Sequence, residues 1–399
     1  MTLFAQHGSR RGGVTSTILV DGLRQGLVTG AIFSPANEEP DALDTLVSDC
    51  HEASPTAELM IDPQVYVATL SGTRDTKLKK YPWFPTKVLK PASFTLRATP
   101  KLVGAVLDWQ YQRGVTTVVT PTVPITALDA EPYSQISYMM AQESCAHHAE
   151  QGVGKPLLVT LLIREDALQR TEAVREFVDR LRVLDPAPAG FYVIVERLNP
   201  GYSQIFEERA LANLLWCCHI LGTLDGFRVV VGYTDLVGVL AQAAGAEATA
   251  CGWHQSLRSF HRQRWMPSFG RTPRKRFTSM PLFDSLLINP EVLAVSHAGL
   301  FERIRSNTAN DTRMPDEQAW TLTTSTMHHW ASIGRGLTQV QAGKTPTERM
   351  ERVEDLLRRG IALGKQIENK GIPFEQRSPA SHLENWRRSI KLFRDAVRI

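Results

Sequence analysis

Eight short apolar runs punctuate the chain, and their recurrence constrains the fold more than any other feature. They fall at residues 2–8, 30–35, 57–62, 115–121, 156–163, 190–196, 227–233 and 247–253, and each stops at a polar or turn residue. Continuous apolar runs of this length suit strands of a parallel sheet covered on both faces. The stretches between them read as helices. "TSTILVDGLRQGLVTG" and "TPKLVGAVLDWQYQRG" stop at Gly, the second with Pro100 near its start. "REDALQRTEAVREFVDRLRVL" carries apolar residues at helical spacing, and "TDLVGVLAQAAGA" follows the seventh run directly. Eight such alternations predict an α/β fold, a (β/α)8 TIM barrel over residues 1–255. A doubly wound open sheet is the rival, and the absence of a GxGxxG fingerprint favours the barrel.

Composition is compatible with that: 43% of the 399 residues are hydrophobic and 22% charged, enough to bury a large core. The five cysteines are scattered without a CxxC pair, which argues against a disulfide framework and a thiolate zinc site and suits a reducing cytoplasm. "MTLFAQHGSRRGG" has no long apolar core of a signal peptide, and no run reaches the ~18 residues of a membrane span. A cytoplasmic protein without membrane contact is expected.

Barrel active sites gather at the C-terminal strand ends. That rule selects Gln6 and His7, Ser34 and Asn37, then Asp62, Gln64 and Tyr66, then Thr120 and Thr122. Arg164 and Glu165, Glu196, Arg197 and Asn199, Tyr233 and Asp235, and Trp253 and His254 complete the set. Asp62 and Glu196 each terminate an apolar strand. Two carboxylates at one mouth can be driven to different pKa values and divide acid and base work, as in glycosidic chemistry. Asp235 opens a helix, where an acid suits the positive dipole end, so a structural role is favoured there. The adjacent pairs His147–His148 and His328–His329 lack metal-ligand spacing, and no metal or cofactor is expected.

Residues 252–283 contain no acid but hold Arg258, Arg262, Arg264, Arg271, Arg274, Lys275 and Arg276, interleaved with Trp253, Phe260, Trp265, Phe269 and Phe277. Cations can neutralise phosphates and aromatics can stack on unpaired bases, so nucleic acid is the expected partner; a solvated basic loop whose aromatics pack in the core is the alternative. From 314 onward the pattern is helical, with Thr345/Glu348 and Ser381/Glu384 reading as capping boxes. Three regions follow: a barrel at 1–255, a basic aromatic segment at 256–313 and a helical extension at 314–399.

In "IDPQVYV" and "VVVGYTDLVGVLAQAAGAE" the chain resembles the tRNA-guanine transglycosylase superfamily, barrels that cut or exchange an N-glycosidic bond in nucleic acid. The resemblance implies a catalytic role for Asp62 and a base-stacking role for Tyr66. From the strand-end set, Gln6, His7, Gln64, Arg197, Asn199, Tyr233 and His254 are then expected as substrate contacts, with Glu196 assisting catalysis. The departures matter: Ala250 stands where the family's nucleophilic Asp ends strand eight. The family's cysteine-rich zinc motif is absent, and "VVTPTVP" lacks the Asp that reads guanine. These shift the expectation from base exchange to base removal. The chain is similar to bacterial antiphage DNA glycosylases, which implies release of glucosylated 5-hydroxymethylcytosine from phage DNA by base flipping, leaving an abasic site. Deazaguanine insertion and a non-catalytic nucleic-acid-binding barrel are the alternatives.

Overall fold

The computed structural model describes residues 2–9, 14–129, 132–202, 204–267, 273–314, 318–372, 374 and 378–398. In chain order the barrel strands are β1 (Leu3–Gln6), β2 (Gly30–Phe33), β3 (Glu58–Ile61), β4 (Val118–Val119) and β5 (Pro124–Ile125). Then come β6 (Leu157–Arg164), β7 (Gly190–Glu196), β8 (Arg228–Gly232) and β9 (Ala248–Cys251). All pair in parallel in the order β3-β2-β1-β9-β8-β7-β6-β4, with β5 continuing beside β6. Thr116 N–H donates to Leu59 O at 2.9 Å and Thr116 Oγ1 accepts from Leu59 N, which joins β3 to the approach of β4. The sheet therefore closes on itself as a (β/α)8 barrel, with β4 and β5 as two short pieces of the fourth stave. All eight expected strands are present, trimmed at their ends where the polar residues leave the ladder.

The helices are α1 (Ile18–Arg24), α2 (Pro40–Ala53), α3 (Ala98–Tyr111), α4 (Pro132–Gln151), α5 (Thr171–Arg182), α6 (Glu208–Cys217) and α7 (Gly238–Ala244). Beyond β9 lie α8 (Leu293–His297), α9 (Phe301–Ile304), α10 (Leu322–Gln341), α11 (Pro346–Asn369) and α12 (Ser381–Val397). In α5 the buried residues Ala173, Val174, Phe177, Val178 and Leu181 form one stripe facing the sheet. A 3-10 turn over Glu165–Gln169 precedes it, so the helix starts later than its sequence pattern.

The barrel does not end at 255. Helix α10 occupies the eighth helical position: Trp330 Nε1–H donates to Cys251 O at 3.2 Å. A Cβ on Gly22 of α1 would stand only 2.5 Å from the Trp330 ring, so the absence of a side chain there lets α10 seat beside α1. Residues between β9 and α10 are thus an insertion. It contains an antiparallel hairpin, β10 (Arg276–Ser279) with β11 (Asp284–Leu287), not foreseen from the basic composition. Phe277, Leu286, Ile288, Val292 and Trp320 pack there with Leu363 and Ile367 of α11 in a second core.

Helices α11 and α12 cover α7 and α6. The Thr345 cap forms, accepting from Glu348 N at 3.1 Å, while Glu348 reaches the Lys344 amide. The Ser381 cap does not: Ala380 occupies the cap position, and Glu384 pairs instead with Lys365 at 3.2 Å. No described helix is long and apolar enough to cross a membrane.

Candidate active site at the barrel mouth

Asp62 is the first residue past β3, and its amide still donates to Phe33 O at 3.0 Å, so sheet geometry fixes it at the mouth. It is 0% exposed. Tyr66 Oη–H donates to Oδ2 at 2.7 Å and Gln64 N–H to Oδ1 at 3.1 Å. Desolvation disfavours the charged form and pushes the carboxyl up to about 6, against the lowering effect of those two donors and of Arg264. A buried carboxylate balanced near neutrality can hold or release a proton at working pH.

Gln64 takes a left-handed backbone conformation (φ 56°), which aims its side chain back across β2. Its Oε1 accepts from Ala36 N at 3.0 Å, its Nε2 donates to Ser34 Oγ at 2.8 Å, and Tyr233 Oη lies 3.5 Å away. Tyr233 is left-handed as well (φ 52°). Non-glycine residues rarely adopt this conformation, and two facing each other mark the place where the backbone is held against its preference.

Tyr192 of β7 completes the cluster; its hydroxyl donates to Gln6 Oε1 at 3.3 Å. A Cβ at position 232 would lie 2.5 Å from the Tyr192 ring, so Gly232 on the neighbouring strand makes room for it. Gln6 Nε2 is buried and has no hydrogen-bond partner among the described residues. Three tyrosines, two glutamines and one carboxylate therefore share the mouth. Tyr192 is hidden in the sequence because it sits inside an apolar run. The signal that could have found it is its parity: positions 192, 194 and 196 of β7 face the same way.

The stretch after β9 closes this mouth. Phe260 lies edge-on to Tyr66 at 5.6 Å and to Tyr233 at 5.0 Å, and Trp265 meets Tyr66 at 5.6 Å. Arg264 lies 5.2 Å from the Tyr233 ring centroid. The cover is fastened to β7 by Arg197 N–H to Phe260 O at 2.9 Å and by Arg262 Nε to Glu196 Oε1 at 2.6 Å.

Several expected site residues are otherwise engaged. Glu196, expected beside Asp62 as its catalytic partner, is instead the anchor of Arg262. Arg197 is buried, donating to Glu165 Oε2 at 3.0 Å and stacking 3.3 Å from the Phe206 ring, so it holds its own loop. Asn199 is exposed on that loop. His7 is buried, accepting from Ser34 N at 3.3 Å and lying 3.6 Å from Glu38. His254 is half-buried with Nε2 at 3.1 Å from Ser9 O. Asp235 lies 3.2 Å from His329 of α10 and is held below the usual carboxylate range by His329 and Arg258, although burial alone would raise it.

The basic segment, expected to contact DNA, divides into engaged and accessible cations. Arg258 is 6% exposed, donates to Gly252 O at 2.8 Å and faces the Asp235 charge. Arg276 donates to Ser285 O at 2.6 Å and stacks 3.6 Å from the Tyr202 ring. Trp253, Phe260, Trp265 and Phe277 are buried, because four large rings are more favourably packed than solvated. Arg274 is exposed and Lys275 half-buried, while Arg271 and Phe269 lie outside the described residues. Tyr66, expected to stack on a base, has its ring packed against the cover and its hydroxyl engaged with Asp62.

No family model and no curated protein matches this chain. Among solved structures, the carboxyl transferase domain of Rhizobium etli pyruvate carboxylase with oxalate is similar at 10% identity and a TM-score of 0.38, over all of this chain and 61% of that one. Dihydrodipicolinate synthase from Oceanobacillus iheyensis is similar at 8% identity and a TM-score of 0.32, over 100% of this chain and 97% of that one. The chain thus spans about 61% of the carboxyl transferase's length. Likenesses this remote carry no chemistry.

Proposed function

We propose that the protein hydrolyses an N-glycosidic bond in DNA, releasing a modified base and leaving an abasic site. The observation that carries this reading is Asp62: a wholly buried carboxylate at a barrel mouth, pushed up to about 6 and hydrogen-bonded by Tyr66. In the reaction the oxygen of water bonds to C1′ as the C1′–N bond breaks. The electron pair leaves with the base; the water's proton passes to Asp62 and from there, directly or through solvent, to the departing base, which restores the carboxylate. The ionised carboxylate also stabilises the cationic sugar. Gln6 Nε2, a buried donor without a partner among the described residues, supplies a hydrogen bond that a base edge would complete. A flipped base reaches Asp62 only when the Phe260–Trp265 cover moves, so lid opening is part of the cycle. With Ala250 at the family's nucleophile position, direct attack by water is preferred to base exchange.

The family resemblance makes glucosylated 5-hydroxymethylcytosine of phage DNA the first substrate to try, in an antiphage role. Incubation with such DNA, followed by alkaline cleavage at abasic sites, should give strand breaks with the wild type and none with Asp62→Ala. Equal breakage by both proteins, or none by the wild type on any modified DNA, would reject the assignment.

A further inference from the structure

We propose that the cavity of about 380 Å³ bordered by the loops after β1, β2, β3 and β9 is a phosphate subsite, taking a backbone phosphate of the strand whose base enters the barrel. This rests on the N-glycosidic reading above. Arg74, Lys77 and Arg264 line the cavity with His254, Ser256 and Trp265, and no carboxylate is among its described lining residues. The acid behind it is Glu38, buried, 3.6 Å from Lys77 Nζ and also 3.6 Å from His7 Nε2. Lys77 pairs with that set-back carboxylate and Arg264 acts on Asp62 across the cover, yet the three cationic groups border one half-enclosed space, where an anion would be attracted.

Position gives the anion its identity. Trp265 and Arg264 form one wall of this cavity and, on their other side, the cover over Tyr66 and Tyr233. A phosphate held there lies across that shared wall from the base pocket, where the backbone flanking a flipped nucleotide would run. Arg74 N–H donates to Trp265 O at 2.7 Å, so the loop that presents Arg74 is tied to the cover itself. Among the described cations of the expected basic track, Arg258 is buried, Arg262, Arg264, Lys275 and Arg276 are half-buried and Arg274 is exposed. The cations of this cavity are contributed jointly by the third-strand loop and Arg264, a grouping that no linear run in the sequence displays.

The test uses the whole protein with inorganic phosphate and with a short unmodified single-stranded DNA, by calorimetric titration at several salt concentrations. Arg74 is exposed, so Arg74→Ala should fold; Lys77 is half-buried beside Glu38, and thermal unfolding checks Arg74→Ala, Arg74→Ala/Lys77→Ala and the charge-reversed control Arg74→Glu. In the wild type, phosphate should compete with DNA. The double variant should bind both at least tenfold more weakly, with the log–log salt slope flattened by about 0.7 for each phosphate that the protein no longer neutralises. Unchanged affinity and slope would overturn the proposal, and so would phosphate binding that does not compete with DNA, which would mark a site for a free anion. Unmodified DNA separates the two readings. Weakened binding of unmodified DNA by the variants, with no base release by the wild type from modified DNA, keeps the subsite and rejects the glycosidic activity; base release from modified DNA with unaltered binding does the reverse.

Discussion

The Tyr66 hydroxyl donates to Asp62 Oδ2 at 2.7 Å, while the same ring meets Phe260 and Trp265 of the cover edge-on. One side chain thus supports the carboxylate's charge and seats the lid above it. The hydrogen bond favours the ionised form and lowers the Asp62 pKa against the dominant effect of burial.

Removing that hydroxyl should therefore move the titration upward. Wild-type activity is expected to rise with pH through about 6, as Asp62 loses its proton. In Tyr66→Phe the rise should shift to higher pH by about one unit, since a hydrogen bond to a charged group contributes roughly 1.5 kcal/mol and one unit is about 1.4. A pH–rate profile checks this. A downward shift, or none, would mean that the hydroxyl does not stabilise the carboxylate.

Asp62 should also weaken the fold at neutral pH. Its carboxyl is raised from an ordinary 3.8 to about 6 in the folded chain, so between these values the folded state binds the proton that the unfolded state has lost. Stability contributed by this group falls as pH rises from about 4 to about 6 and is level above that. Asp62→Asn lacks the fall. It should be more stable than wild type at pH 8, by at most about 3 kcal/mol, with the difference vanishing near pH 4. Denaturant midpoints at the two pH values measure it, and a variant less stable at pH 8 would contradict the buried-charge account.

The fold was legible because each strand is a closed apolar run, and Asp62 because it follows one directly. What sequence spacing did not disclose were contacts made across the barrel. Tyr192 looks like core until Gly232 on the next strand leaves space for it. Arg258 looks like a phosphate ligand until Asp235 and Gly252 enclose it. Helix α10 reads as part of an extension because some 70 residues of insertion separate it from the strand it serves, and loop length has only a weak thermodynamic cost. The hairpin β10–β11 was hidden by its cationic flank, whose charge says nothing about the inward positions of Phe277 and Leu286.

Glu196 distinguishes a latch from a catalyst. Its Oε1 accepts from Arg262 Nε at 2.6 Å, while Oε2 is buried without a hydrogen-bond partner among the described residues. If the pair fastens the cover, Glu196→Gln should speed amide hydrogen exchange in residues 258–265 and raise KM or kcat through easier opening, leaving the pH–rate midpoint near 6 in place. Loss of turnover by a factor of 100 or more with unchanged exchange would instead assign Glu196 a part in the chemistry.

Arg258 and Arg274 should behave as opposites, although the sequence presents them as members of one basic tract. Arg258 is buried beside Asp235, and His329, the other neighbour of that carboxylate, is pushed down to about 4 by burial and by Arg258 itself. At neutral pH His329 is therefore uncharged, and Arg258 is the cation that compensates Asp235. Arg258→Ala leaves a buried charge without its counterion and should lower stability by about 3–5 kcal/mol. Arg274 is exposed, and its replacement by Ala should change stability by less than about 0.5 kcal/mol. Its effect should appear only in DNA binding, as a shallower salt slope. Denaturant unfolding and salt-dependent titration of the two variants give four numbers, and the crossed pattern is the expected result. A mild Arg258→Ala would mean that Asp235 takes up a proton when its partner is removed, which a pH-dependent recovery of stability below pH 6 would expose.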